Sequence, residues 1–331
     1  MAIGAAKRWG KVAGSGRAGD SGTLSERLWK ARWCYLFAAP SLILASAFSF
    51  YPTIASWYFS LLDWSGFTSS FSFIGLANYQ EVIHDTYFWH AFLRSFLFMF
   101  AAVPIKLTLS LIVAIVLNDR LLRLAPIFRT LFFLPVVTTA AIDGIVMTFL
   151  FSPVNGPINR ALIDVHILPK PLDFLGNPHS ALWTIVAVFI WKSFGIEMMY
   201  WLAALQIVPP DLYEAAKMDG AGRWALIRHL TIPIILPFAA IILILSVAGA
   251  LHVFALVQTM TSGGPFFSSE VMEVYIYRTA FGGTEGVPRL GYASAAAVWF
   301  GVCVLGVALA QGLIARKANE SRQSLGPGGA R

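Results

Sequence analysis

The chain has 331 residues, of which 57% are hydrophobic and only 12% are charged, and its formal net charge is +7. An ordinary soluble domain has about 25% charged residues and too little interior to bury so much apolar surface. The composition excludes a typical soluble enzyme, a disordered chain and a disulfide scaffold, and it indicates a protein whose solvent is largely lipid. In such a protein an excess of Lys and Arg is typical of cytoplasmic loops, so the positive charge does not require nucleic acid as a partner.

The first 32 residues are basic and rich in Gly, Ala and Ser, and we interpret them as a cytoplasmic tail. The apolar run that follows is too long for a signal peptide, and no clean small-residue cleavage site follows it. The segment from Gly4 to Val12 is similar to a phosphate-binding loop but has one residue too many between its glycines. We therefore expect no cofactor and no ATP site in this chain. Cys34 and Cys303 lie in apolar runs without metal-ligand spacing, so no metal site is expected.

Six stretches are long enough to cross a bilayer, which needs about 20 mostly apolar residues per helix. They run from Trp33 to Ser60, Phe92 to Leu117, Thr130 to Phe151, Ala181 to Leu205, Ile232 to Met260, and Tyr292 to Ile314. We therefore predict an all-α integral membrane protein with about six transmembrane helices.

The distribution of Lys and Arg predicts that both termini lie in the cytoplasm. With the N-terminus inside, the inner segments hold 17 of these residues and the outer segments hold four, while Arg94, Lys106 and Lys192 lie in spans. Cytoplasmic loops are the ones that accumulate positive charge, and an even number of spans agrees with this orientation. The loop from Thr261 to Gly291 would then lie outside, where it is long enough to meet a partner.

The inner loop between the fourth and fifth spans, residues 207–231, has the start signals of a short helix. Pro209 and Pro210 mark the entry, Asp211 is a good N-cap, and Glu214 lies three residues later, as in a capping box. We therefore expect Asp211 and Glu214 to cap the helix reciprocally.

The same loop has two glycines where the helix should end. Gly220 and Gly222 would permit the left-handed turn that commonly terminates a helix. A second short helix, from Arg223 to His229, would then lead into the fifth span. We predict a helix-turn-helix that protrudes from the membrane on the cytoplasmic side.

The string Glu-Ala-Ala-x-x-Asp-Gly-Ala at residues 214–221, with Pro233 and Pro237 beyond it, resembles the coupling-loop signature of binding-protein-dependent ABC importer permeases. Other segments resemble the carbohydrate type, in particular the larger subunit of the maltose and glycerol-3-phosphate systems: Trp191–Gly195, Leu202–Gln206, Thr261–Pro265, Tyr275–Phe281 and Gly291–Ala295. The likeness covers about residues 33–315. The likeness departs from the maltose permease, whose extra N-terminal spans and large outer domain are not expected in this chain.

The resemblance implies a six-span permease domain over residues 33–315, flanked by cytoplasmic tails at 1–32 and 316–331, in the inner membrane of a prokaryote. It implies a second homologous permease, two ATP-binding subunits that hold ATP and Mg, an extracytoplasmic solute-binding protein and a carbohydrate substrate. The chain itself would be a transport subunit and not an enzyme. The residues expected to contact one ATPase are Glu214, Ala215, Ala216, Asp219, Gly220, Ala221 and Gly222.

Ionisable residues inside the spans are costly, so they should face a cavity or each other. Lys106 and Asp143 are a plausible internal pair. Lys192 and Glu197 lie five residues apart on one helix, about 140° around its axis, and so should not pair with each other. Near the positions that form the sugar site in the resembled maltose permease lie the candidate pathway residues Lys192, Gly195, Glu197, Tyr200, Leu251 and His252.

Several alternatives remain open at this point. The substrate could be glycerol phosphate or another polyol ester, or an acidic oligosaccharide that Lys192 and His252 would suit. An ion-coupled secondary transporter is a different class, but it usually contains repeats within one chain, and the coupling-loop string would stay unexplained. A membrane scaffold without a transport role would not need ionisable groups in three spans.

Overall fold

The computed structural model describes residue 29 and residues 32–119, 122–282 and 287–323, with side chains as far as residue 313. Of the predicted N-terminal tail, residues 1–32, all but residues 29 and 32 lie outside the described residues. The predicted C-terminal tail, 316–331, is described only as far as residue 323, as backbone. The chain divides into two compact units, residues 1–55 and 56–331.

The first helix, α1, runs from Arg32 to Phe59 and is long and apolar enough to cross a membrane. It accommodates Pro40 and contains a π-helical turn at Ser46–Phe50. In the first unit its large apolar side chains, such as Phe37 and Phe48, are exposed. Such a surface is expected of a helix whose surroundings are lipid.

The described residues of the second unit are mostly helical. A two-stranded antiparallel sheet pairs β1 (Leu62–Asp63) with β2 (Ser72–Phe73), with Leu62 opposite Phe73. The helices are α2 (Ala77–His84), α3 (Thr86–Leu117), α4 (Ala125–Val137), α5 (Ala140–Leu150), α6 (Pro157–Asp164), α7 (Ala181–Leu205), α8 (Pro210–Met218), α9 (Ile232–Leu251), α10 (Phe254–Met260), α11 (Met272–Phe281) and α12 (Leu290–Gln323).

The described residues contain five helices able to cross a membrane, and six spans if one bent pair counts as a single span. This agrees with the predicted helical membrane fold of about six spans. The third predicted span, Thr130–Phe151, is wrong as one continuous helix, because α4 and α5 meet at a bend of 99°. Pro135 lacks a backbone N–H, and the β-branched run that follows it has low helix propensity. Thr138 and Thr139 are accordingly extended, with ψ of 152° and 143°.

The fifth predicted span is also interrupted. Its helix α9 ends at Leu251, and His252 leaves the helical conformation with ψ of 69° before α10 begins at Phe254. The interior of the unit is formed mainly where α3 packs along α7, with further contacts from α9 and α12. Both helix breaks therefore lie beside the long helix α7, which contacts α4 as well as α10.

Candidate coupling loop and intramembrane cavity

The predicted coupling helix exists as α8, but its start differs from the prediction. The helix begins at Pro210 with Pro209 as the N-cap residue, and no side chain caps it. The capping box of Asp211 and Glu214 is therefore wrong: the helix begins two residues earlier, with Pro210 in its first position, where proline is favoured. Asp211 lies in the first turn instead, where its negative charge faces the positive end of the helix dipole.

The end of α8 is a Schellman motif, in which two backbone hydrogen bonds close the final turn. The N–H of Ala221 donates to Ala216 O at 2.9 Å, and the N–H of Gly220 donates to Lys217 O at 3.0 Å. Gly220 has φ of +82°, the left-handed conformation predicted for it. Gly222 was predicted to share that role, but its φ of −73° and ψ of 165° are ordinary extended values. Only Gly220 requires glycine for conformational reasons.

One face of α8 is attached to the protein and the other is exposed. The hydroxyl of Tyr213 hydrogen-bonds Thr231 Oγ1 at 2.9 Å, and Thr231 is buried. Glu214, Ala215 and Asp219 are exposed, as is the tip of the loop. The apolar side chains of Met218 and Trp224 are 89% and 73% exposed, an arrangement typical of a surface that meets a partner.

The second helix predicted at Arg223–His229 is not a separate element. A helical turn at Arg223–Ala225 continues through a π-helical segment, Leu226–Thr231, directly into α9. Residues 223–231 are helical without a break, since each cap position between these segments is itself in the α conformation. The loop thus consists of α8 with its Schellman turn, followed by helical residues 223–231 that lengthen the fifth span at its start.

Four intramembrane side chains form two ion pairs, and the predicted pair of Lys106 with Asp143 is wrong. Lys106 Nζ lies 2.6 Å from Glu197 Oε1, and both side chains are buried. Asp143 instead forms an ion pair with Lys192. The reason is the 99° bend, which places Asp143 in the first turn of α5 and directs it toward α7. As predicted, Lys192 and Glu197 do not pair with each other.

The Lys192 ammonium holds the bend between α4 and α5. Besides its ion pair with Asp143, Nζ donates to Thr138 O at 2.7 Å and to Pro135 O at 3.2 Å. The hydroxyl of Thr138 donates to the other oxygen of Asp143 at 2.6 Å. The carbonyls at the end of a broken helix need such partners, because no further turn supplies their N–H groups.

A cavity of about 190 Å³ lies where the two helix breaks meet α7. Its walls are mostly apolar, and its polar side chains are Lys192, Ser193 and His252. At the second break, His252 Nδ1 donates to Glu273 Oε1 at 2.9 Å, while Phe254 N donates to Glu273 Oε2 at 2.7 Å. The carboxylate of Glu273 therefore does two things at once: it accepts the first N–H of α10, and it orients the imidazole of His252. The apolar lining consists of Val136, Ala140, Phe189, Ile196, Val253, Ala255 and Leu256.

Of the six predicted pathway residues, Lys192 and His252 line this cavity and the other four do not. Glu197 is 3% exposed and faces Lys106, and Leu251 is buried. Gly195 permits close packing of α7 on α4, because a Cβ there would lie 2.1 Å from Phe132 O. Tyr200 is more exposed than these and lies outside the cavity lining.

Sequence reasoning missed Glu273, which lies 21 residues beyond its partner His252. The available signal was weak, because Glu273 is one of three carboxylates in the predicted outer loop and lies five residues before Arg278. It also missed Thr138, because a threonine in an apolar run is not distinctive until the bend exposes its carbonyl.

A polar network joins the start of α3 to α11 and α12. Asp85 accepts hydrogen bonds from the hydroxyls of Tyr275 and Tyr292 and from Tyr87 N at 2.7 Å. Burial alone would raise the pKa of Asp85, but these hydrogen bonds outweigh it and hold that pKa below its ordinary value. Nearby, Glu270 is fully buried and accepts two hydrogen bonds from Arg278. The network ties three elements together at one end of the bundle.

Several membrane-spanning helices, two of them broken around one cavity, and a protruding capped helix define a multi-span membrane transport protein. The family described as "Binding-protein-dependent transport system inner membrane component" matches residues 87–320, and the chain belongs to it. The predicted family and the predicted role as a transmembrane permease component are thereby confirmed.

Relatives and a solved structure agree with this assignment. The chain is 35% identical over 262 residues to the lactose transport system permease protein LacF of Rhizobium radiobacter, covering 78% of this chain and 86% of LacF. It is 29% identical over 278 residues to the sn-glycerol-3-phosphate transport system permease protein UgpA of Yersinia enterocolitica, covering 84% and 92%. A chain of a bacterial ABC transporter involved in import of the acidic polysaccharide alginate has a similar fold, with TM-score 0.77 and 23% identity over 89% and 98% of the two chains.

Proposed function

We propose that this permease forms half of the translocation pathway of an ATP-driven importer for a sugar or oligosaccharide. The observation that carries the proposal is the coupling helix α8, rigidly capped at Gly220 and exposed on the face that bears Glu214 and Asp219. The carbohydrate class is supported by relatives such as LacF, whose name specifies lactose.

Force would pass from a separate ATPase into the spans through α8. The Tyr213–Thr231 hydrogen bond joins α8 to the residues that continue into α9. Because residues 223–231 continue into α9 without a break in the helix, a displacement of α8 that passes through this hydrogen bond would move the fifth span as a rigid body. The spans would alternate in this way between inward-open and outward-open forms.

The substrate would pass along the cavity between the two helix breaks. Discontinuous helices near the membrane midplane are typical of transporter substrate sites, because their ends present free backbone groups to a ligand. Lys192 and His252 are the predicted pathway residues that remain candidates on this basis. Gly195, Glu197 and Leu251 would act indirectly, by holding α7 and α9 in position.

The importer would need partners that supply the remaining steps. A second homologous permease would complete the pathway, and two ATP-binding subunits would hold ATP and Mg, while this chain would bind no cofactor or metal of its own. An extracytoplasmic binding protein would deliver the substrate, and both termini would lie in the cytoplasm. A binding protein loaded with alginate pentasaccharide accompanies the transporter in a second solved structure of similar fold.

Reconstitution of the four kinds of subunit in proteoliposomes tests the proposal. Binding protein loaded with the correct saccharide should stimulate ATP hydrolysis and drive uptake of the labelled sugar, whereas unloaded binding protein should stimulate much less. Glycerol-3-phosphate in the same assay tests the polyol-ester alternative. Uptake that follows an ion gradient and continues without ATP would contradict the proposal in favour of a secondary transporter.

A further inference from the structure

The cavity beside α7 contains two side chains able to bear positive charge, Lys192 and His252. Whether they are available to a ligand decides what kind of substrate this wall can accept. An anionic sugar would need an unpaired cation at this point, because charged groups lose their hydration on entering an apolar cavity.

Lys192 has no donor left for a ligand. An ammonium group has three N–H donors, and the structure provides three acceptors for them: Thr138 O, Pro135 O and the carboxylate of Asp143. The positive charge is also neutralised, since Asp143 is its ion-pair partner. Both the hydrogen bonds and the charge of Lys192 are therefore used within the protein.

His252 is in a similar position. Its Nδ1 is bonded to Glu273, so the pair has a net charge of zero when the imidazole is protonated and −1 when it is neutral. Nε2 has no hydrogen-bond partner among the described residues, and the side chain is 69% exposed. Nε2 can therefore serve a neutral hydroxyl group, but the pair offers no net positive charge to an anion.

Among the described residues, the buried cation of Lys106 also lies near the cavity, and its charge is balanced. Lys106 contacts the ring of Phe189, one of the cavity residues, with Nζ 4.6 Å from the ring centroid, and it is paired with Glu197 at 2.6 Å. Charges around the cavity thus cancel pair by pair, and their sum is zero or negative.

We propose that this permease transports an uncharged saccharide and discriminates against acidic ones, because its intramembrane cavity has mostly apolar walls, one free imidazole nitrogen and no net positive charge. The inference rests on the proposed importer function and narrows its substrate class. It would exclude uronic acids, and sugar or polyol phosphates, from the pathway.

The test compares saccharides matched in everything except charge. Pairs of disaccharides that differ only in a CH₂OH or a carboxylate at C6 would be supplied to the complete reconstituted importer, and uptake would be measured for each member. We expect the neutral member to be taken up faster by roughly tenfold or more. Equal or faster uptake of the acidic member would overturn the inference and leave the importer function intact, whereas uptake of neither member of any pair would overturn both.

Two variants separate the permease from the binding protein, which stays the same throughout. Asp143→Asn removes the carboxylate that neutralises Lys192, and Glu273→Gln does the same for His252, so each makes the cavity more positive by one charge. Each should shift the acidic-to-neutral uptake ratio toward the acidic sugar by several-fold, and a ratio is insensitive to reduced expression. Glu81→Gln, in an exposed pair with Arg289, is the matched control and should leave the ratio unchanged. An unchanged ratio in both cavity variants would overturn the inference.

Discussion

The two glycines of the coupling loop give a sharp test of how α8 works. Gly220 has φ of +82° and Gly222 has φ of −73°, and a Cβ added at either position would have no atom within 4 Å. Steric crowding is therefore equal at the two sites, and only the backbone conformation differs. Alanine at 220 would be held in the left-handed region at a cost of about 1–2 kcal/mol, whereas alanine at 222 would not be strained.

That difference should appear in the affinity of the permease for its ATPase. If α8 binds with its capped end intact, a cost of about 1–2 kcal/mol lowers the affinity about five- to thirty-fold in Gly220→Ala. Gly222→Ala should keep an affinity within about twofold of wild type, because alanine is not strained at that position. The effect of a glycine-to-alanine change on the unfolded chain is the same in both variants, so it does not account for a difference between them. Gly220→Asn should recover part of the loss, because asparagine tolerates the left-handed conformation better than alanine does.

The assay is titration of the purified ATPase subunit onto permease held in nanodiscs, followed by substrate-stimulated ATP hydrolysis in the reconstituted complex. Both readouts should rank the proteins as wild type and Gly222→Ala, then Gly220→Asn, then Gly220→Ala. Equal affinities and equal stimulation in Gly220→Ala and Gly222→Ala would refute the reasoning that the Schellman turn shapes the docking surface.

Three further predictions concern stability. Lys106→Met should lower the free energy of unfolding by about 3 kcal/mol, because it leaves the buried carboxylate of Glu197 without its ion-pair partner, and adding Glu197→Gln should restore much of that loss. Thermal unfolding in detergent measures both variants. Equal losses in the single and the double variant would contradict the importance of this ion pair. Gly195→Ala should lower the midpoint of thermal unfolding, because its Cβ would collide with the backbone of α4, whereas Gly249→Ala should not, because the space around that position is open. The opposite order of the two midpoints would refute close packing of α7 on α4. The pKa of Asp85 is lowered in the folded protein, so its ionised carboxylate stabilises the fold at pH values above the ordinary pKa of an aspartate, and this contribution is lost as the pH falls through the lowered pKa. The difference in unfolding free energy between wild type and Asp85→Asn should therefore shrink below about pH 4. A difference that does not depend on pH would contradict this prediction.

The start and end of the coupling helix illustrate how local signals succeed and fail. The glycine at 220 was predicted to adopt a left-handed turn, and it does, because that preference belongs to a single residue and its neighbours. The capping box was predicted from the same kind of pattern and is wrong, because consecutive prolines compete for the same start position. Where two local signals overlap, the sequence does not say which one prevails.

The sequence by itself determined the helical membrane class, a count of about six spans and the short helix that ends at Gly220, because apolar length and glycine or proline placement are local properties of the chain. Only the tertiary structure decided the ion pairs. The partners Lys106 with Glu197 and Lys192 with Asp143 depend on a 99° bend and on which face of α7 meets α3. Attraction between opposite charges does not depend on how far apart the two residues lie in the sequence. Which residues pair is therefore set by the helix geometry that brings the charged groups within a few ångströms of each other.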